Sequence, residues 1–89
     1  MKNKVDFKEE LKRLRLCAYF TQKELCDRAG IPLGTYKSWE LGLQYPTPRN
    51  WKKYMDFMET TNVNIELYLI RKMYTERGNY GQTSAKTMH

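Results

Sequence analysis

Side chains able to do covalent or metal chemistry are few in this sequence, and their spacing does not suit such chemistry. The one histidine is His89, at the far end, and Cys17 and Cys26 stand nine positions apart with no Cys-x-x-Cys between them. A zinc or redox pair needs tighter spacing than that. There is no glycine-rich phosphate loop, and no carboxylates fall at metal-ligand spacing. No recognisable catalytic constellation is left, so neither an enzyme nor a cofactor or metal is expected. What the side chains do supply is positive charge and hydrogen-bond donors. Lys and Arg number 16 against 10 Asp and Glu, for a formal net charge of +6. Such an excess favours a polyanionic partner.

These donors must be carried by a small scaffold. A chain of 89 residues can close one modest core, and a hydrophobic fraction of 40% with 29% charged residues fits a packed globule better than a disordered chain. No apolar run approaches the roughly 18 residues of a membrane span, and the basic start Met1 to Lys4 leads into an amphipathic segment rather than a signal-peptide core. The expected location is the cytoplasm, with Cys17 and Cys26 reduced and half-buried as small hydrophobes.

Start and stop signals divide the chain into five helices. Asp6-Phe7-Lys8-Glu9 reads as a capping box. The helix behind it runs to about Tyr19, with Phe7, Leu11, Leu14 and Ala18 on one face and Glu9 paired with Arg13 outside. Thr21-Gln22-Lys23-Glu24 repeats the device for a short second helix, about Gln22 to Ala29, which Gly30 stops. Leu25 and Ala29 face inward, and Glu24 with Arg28 spans the outer turn. Ile31-Pro32 turns a corner. A third helix follows from about Leu33 to Leu41, stopped by Gly42, with Tyr36 and Trp39 inward. Two short helices joined by a turn form the unit that enters a DNA major groove. After a loop over Leu43 to Thr47, Thr47-Pro48 starts a fourth helix whose stripe is Trp51, Tyr54, Met55 and Met58. A fifth, capped by Asn62 or Asn64, reaches about Glu76. It carries two apolar stripes, Ile65, Leu69 and Met73 on one side and Leu67, Ile70 and Tyr74 on another. One monomer core buries one of them, and Leu67, Ile70 and Tyr74 are expected to form a dimer surface. The fold class is therefore all-α, a compact five-helix domain over residues 1–77 with its turn-helix motif at 21–42, a dimerisation helix at 64–76 and a flexible tail at 78–89.

Over about Phe7 to Leu69 the sequence resembles the lambda-repressor-like family of phage and bacterial regulators, the Cro or Xre type. The residues that carry the likeness are Thr21 to Leu25, Ala29-Gly30-Ile31-Pro32, Thr35 to Gly42 and Tyr45-Pro46-Thr47-Pro48, with Val63 to Leu69 similar to the family's last core helix. The resemblance implies that Gln22 anchors to a phosphate and braces the recognition helix. It implies that Leu33, Gly34, Lys37 and Ser38 face base edges, with Thr35 near a phosphate or a thymine methyl. Arg15 and Glu40 match a pair that links the first helix to the end of the third and leaves the arginine directed toward the DNA backbone. Thr21, Lys23 and Lys52 complete the expected phosphate contacts. Lysine can donate to guanine acceptors and serine to several edges, whereas helix N-terminal amides and a glutamine bind phosphate without reading sequence. The chain departs from the family at Leu43 and Gln44, where many relatives carry a basic pair, and at Leu33 and Gly34, where polar readers are common. Discrimination is then expected to lean on Lys37, Ser38, thymine methyls and DNA shape.

Plainer readings compete with these. Exposed lysines such as Lys37, Lys52 and Lys53 are most often solvated charges. Arg15 with Glu40 can be an ordinary surface ion pair, which contributes roughly 0 to 1 kcal/mol. Tyr36 and Trp39, at helical spacing, belong in a core rather than on a base-stacking platform. The leading expectation is a sequence-specific regulator, a repressor that binds a palindromic double-stranded operator as a homodimer. The alternatives are a protein-binding module on the same fold, such as an antitoxin, inhibitor or immunity factor, and a nonspecific DNA binder that uses charge alone.

Overall fold

A computed structural model describes residues 6–78, and in it local capping chemistry sets most of the helix boundaries. Helix α1 (Phe7–Cys17) buries Leu11 and Leu14 completely. Its N-cap differs from expectation, because the Asp6 carboxylate takes the Lys8 ammonium at 3.0 Å instead of closing a capping box. The outer pair differs too. Arg13 turns from Glu9 to Glu10, at 2.7 Å, and to Glu66, at 3.1 Å. Glu10 is only 2% exposed, and a buried carboxylate requires a partner more urgently than a solvated one gains from an i,i+4 pair. The helix also stops short of Tyr19. That residue adopts φ 66°, and the Tyr19 and Phe20 amides donate back to the Leu16 and Arg15 carbonyls. This is the Schellman arrangement with tyrosine where glycine is usual.

Helix α2 (Gln22–Ala29) has the expected capping box. The Thr21 hydroxyl accepts from the Glu24 amide at 3.0 Å, and the Glu24 carboxylate accepts from the Thr21 amide at 2.9 Å. Gly30 ends the helix at φ 79°, a left-handed conformation that glycine adopts without Cβ strain. The expected Glu24 and Arg28 pair is replaced by Lys23 with Asp27 at 3.1 Å, and Arg28 lies over the Phe20 ring. Both cysteines are free, but only Cys26 is buried; Cys17 is exposed. Burial, reinforced by the neighbouring Asp27 and Glu40 charges, pushes the Cys26 thiol up to about 11, which keeps it an unreactive thiol.

Helix α3 (Leu33–Glu40) inserts Tyr36 and Trp39 fully into the core, and Gly42 at φ 78° turns the chain away. Helix α4 (Pro48–Met58) starts where the Thr47 hydroxyl accepts from the Asn50 amide at 3.3 Å, and it buries Trp51, Tyr54, Met55 and Met58. The last segment departs most from the sequence reading. Instead of one helix from residue 64, a 3-10 turn (Asn64–Glu66) precedes helix α5 (Tyr68–Gly78). Leu67 and Ile70 are 0% exposed, and Tyr74 stacks on Trp51 at 4.3 Å and on Tyr45 at 5.3 Å. The stripe expected to face a second copy is therefore part of the monomer core, while Ile65 and Tyr68 remain exposed. The reason is long-range. Phe7, Tyr45 and Trp51 assemble an aromatic slab that Tyr74 completes, and this slab selects the face of α5 that turns inward. Gly78, the expected first residue of the tail, is the last residue of α5, and 79–89 lie outside the described residues. Among the described residues no helix is long and apolar enough to cross a membrane.

Candidate nucleic-acid interface

Helix α3 is held by one carboxylate. Glu40 sits at the helix's last position with its side chain 6% exposed. The Arg15 guanidinium reaches it from α1 in a fork, Nε to Oε2 at 2.8 Å and Nη2 to Oε1 at 3.1 Å. The Gln22 amide donates from the first turn of α2 at 3.1 Å, and the Tyr36 hydroxyl donates from one turn earlier on α3. Three helices thus meet on one group. Burial alone would raise the Glu40 carboxyl, but the hydrogen bonds from Arg15, Tyr36 and Gln22, with the Arg15 charge, outweigh it and hold the carboxyl below the usual range. Burial drives the Tyr36 hydroxyl strongly upward, so it stays a donor. A fork of this kind is a charge-assisted pair with fixed geometry rather than a loose surface bridge.

The brace read from Arg15 and Glu40 is thus present, but the direction expected for the arginine is not. Its third contact is the Phe20 carbonyl, at 3.0 Å, and the whole residue is 8% exposed. Arg15 is turned inward as a strut, at the floor of a cleft, rather than extended toward a DNA backbone. That cleft, of about 360 Å³, lies between α1, α2 and α3 and is lined by Lys12, Arg15, Gln22, Lys37, Glu40 and Leu41.

The outer edge of α3 is uneven. Gly34 and Lys37 are exposed, and a Cβ added at Gly34 would meet nothing within 4 Å. Leu33 is half-buried and packs against the core, so only part of it is available to a thymine methyl. Ser38 is more constrained than its sequence suggests. Its hydroxyl lies 2.6 Å from the Thr35 carbonyl and 2.9 Å from the Gln44 side-chain oxygen, both acceptors. In this arrangement its single proton is engaged within the protein, so Ser38 offers a base an acceptor rather than a donor. Gln44, for which the sequence offered no role, is thereby fixed beside this edge. Thr35 is half-buried. The Thr21 amide is committed to Glu24, and Lys23 and Lys52 pair with Asp27 and Asp56 at 3.1 and 2.9 Å. Lys53 donates to the Gly30 carbonyl at 3.3 Å, beside the turn between α2 and α3.

Lys12, assigned no role from sequence, lines the same cleft. Its signal was available in the spacing, since Lys12 precedes Arg15 by three residues and so lies on the same side of α1.

Two short helices packed at a glycine turn, with the second one braced from behind and exposed on its outer edge at Gly34 and Lys37, define a helix-turn-helix DNA-binding domain. The family model for helix-turn-helix domains (HTH_3) matches residues 11–61, more than half of the chain. The chain belongs to this family, the Cro/C1-type, Xre-like helix-turn-helix domains, a non-enzymatic class of DNA-binding regulators. Comparison with curated proteins and with solved structures gives no match.

Proposed function

We propose that this protein is a sequence-specific transcriptional regulator, a repressor that binds a palindromic double-stranded operator as a homodimer. The observation that carries this reading is the fastening of α3 to two other helices through Glu40, while Gly34 and Lys37 remain exposed. A rigid helix with one open edge is what docking into a major groove requires. Gln22 serves twice in this account. One of its amide hydrogens holds Glu40, and the other is left for a phosphate at the start of α2. Repression follows from occupying promoter DNA and needs no cofactor.

The proposed dimer rests on the ligand. One recognition helix covers a few base pairs, and a second half-site one helical turn away (~34 Å) roughly doubles the contacts. With Leu67 and Ile70 buried, the large apolar side chains that the last segment leaves for a second copy are Ile65 and Tyr68, 82% and 71% exposed.

The test is selection of bound duplexes from random DNA, followed by sedimentation of the complex. Inverted repeats with half-sites about one turn apart (~34 Å) and two chains per duplex are expected, and Gln22→Ala should weaken the selected site. If no duplex is retained, and the chain instead forms a tight complex with another protein, the DNA reading fails in favour of a protein-binding module on the same fold.

A further inference from the structure

The cleft behind the outer edge of α3 has more cationic character than the brace needs. Lys12, Arg15 and Lys37 line it together with one carboxylate, Glu40. Glu40 is neutralised by the Arg15 fork, which leaves two ammonium groups in excess. Several other lysines are occupied: Lys8, Lys23 and Lys52 sit at 2.9 to 3.1 Å from Asp6, Asp27 and Asp56. Lys12 and Lys37 are both exposed, and among the described residues neither has a hydrogen-bond or ion-pair partner. Two unpartnered cations flanking one cleft repel each other unless an anion lies between them. The Gln22 amide, with a hydrogen still free, lines the same cleft.

Position on the helix decides which way Lys37 serves. Lys37 lies four residues before Leu41, and both line the cleft. Leu33 and Gly34 do not line it. Lys37 thus stands where the exposed edge of α3 meets the cleft, and the cleft it shares with Lys12 of α1 favours a phosphate role over the base role assigned to it from sequence.

We infer that Lys12 and Lys37 form a two-lysine clamp on a single backbone phosphate of the bound duplex, with Gln22 donating to the same group, so that Lys37 positions the recognition helix instead of reading a base. This rests on the DNA-binding reading above. The ligand is a phosphodiester. Lysine suits it as a mobile point charge, and the Arg15 strut at the floor of the cleft keeps Glu40 from opposing it.

The experiment measures binding of the full chain, its Lys12→Ala and Lys37→Ala variants and the double variant to the selected duplex and to an unrelated one, across a salt series. Each single substitution should weaken both duplexes by the same factor, and removal of both lysines should reduce the slope of log affinity against log salt by about one in all, since a single phosphate is neutralised. The double variant should lose less than the product of the two single losses, because both side chains grip one phosphate. Lys12→Arg should retain binding, and thermal melting should stay within a few degrees of wild type, since both side chains are exposed. Three outcomes overturn the clamp: Lys12→Ala binding like wild type, Lys37→Ala erasing preference for the selected duplex with an unchanged slope, or strictly multiplicative losses. Failure of the wild-type chain to bind any duplex would instead reject the underlying DNA reading, so the two failures are distinguishable.

Discussion

Replacing Glu40 with alanine is expected to lower folding stability by about 3–5 kcal/mol, because it strands the Arg15 guanidinium in a site where the residue is only 8% exposed. For a domain of this size that corresponds to a fall in Tm of roughly 12 °C or more. The same substitution removes the acceptor shared by Gln22 and Tyr36, so α3 should loosen even in chains that remain folded. Glu40→Gln keeps one acceptor oxygen and should lose less. The pH dependence follows from the same site. The Glu40 carboxyl titrates below its ordinary value of 4.5 in the folded protein. Its contribution is therefore complete above that ordinary value and is lost as pH falls through the lower, folded value. Wild type should show a steeper loss of stability on the acid side than Glu40→Ala. A loss near that of an exposed ion pair, below about 1 kcal/mol, in urea titrations at neutral pH would show that the four-residue junction is not what holds α3.

Trp39→Ala should be comparably severe, at about 3–5 kcal/mol. Trp39 is 1% exposed and meets Tyr36 and Tyr54 edge-on, with ring centroids at 5.4 and 6.3 Å. Removing it opens a cavity directly behind the recognition helix, where the rings of α3 and α4 are already interlocked and can close the gap only in part. The expected phenotype is a lower urea midpoint together with weakened DNA binding, since the helix loses its inward anchor. Trp39→Phe keeps an aromatic ring and should recover part of the loss. A change within about 0.5 kcal/mol, typical of exposed positions such as Leu41, would contradict the packing described.

What the sequence made legible was local. Thr21 with Glu24, Gly30, Gly42 and Thr47-Pro48 act within a turn of themselves, and the structure places each where its own chemistry requires. The inward pair Tyr36 and Trp39 and the stripe on α4 followed from periodicity alone. What stayed hidden depended on distant partners. Choosing between the two stripes of the last segment required knowing that Phe7, Tyr45 and Trp51 would converge on Tyr74, up to 67 positions apart. The burial of Glu10, which draws Arg13 away from Glu9, depends on the elements packed over it. Within the site, the pairing of Arg15 with Glu40 was readable from the family resemblance, whereas the inward turn of Arg15 depends on the Phe20 carbonyl that receives it. Tyr36 and Glu40 lie four apart on α3, so that contact was available from spacing, but burial marked Tyr36 as a core residue first.

The most direct measurement is a titration of isotope-labelled protein with the selected duplex, following each backbone amide by NMR. The largest changes should fall on Gly34, Lys37 and Ser38 and on the first turn of α2 at Gln22 and Lys23. If a duplex binds while those amides stay still and the perturbation gathers on α4 and α5, then α3 is not the element that meets DNA.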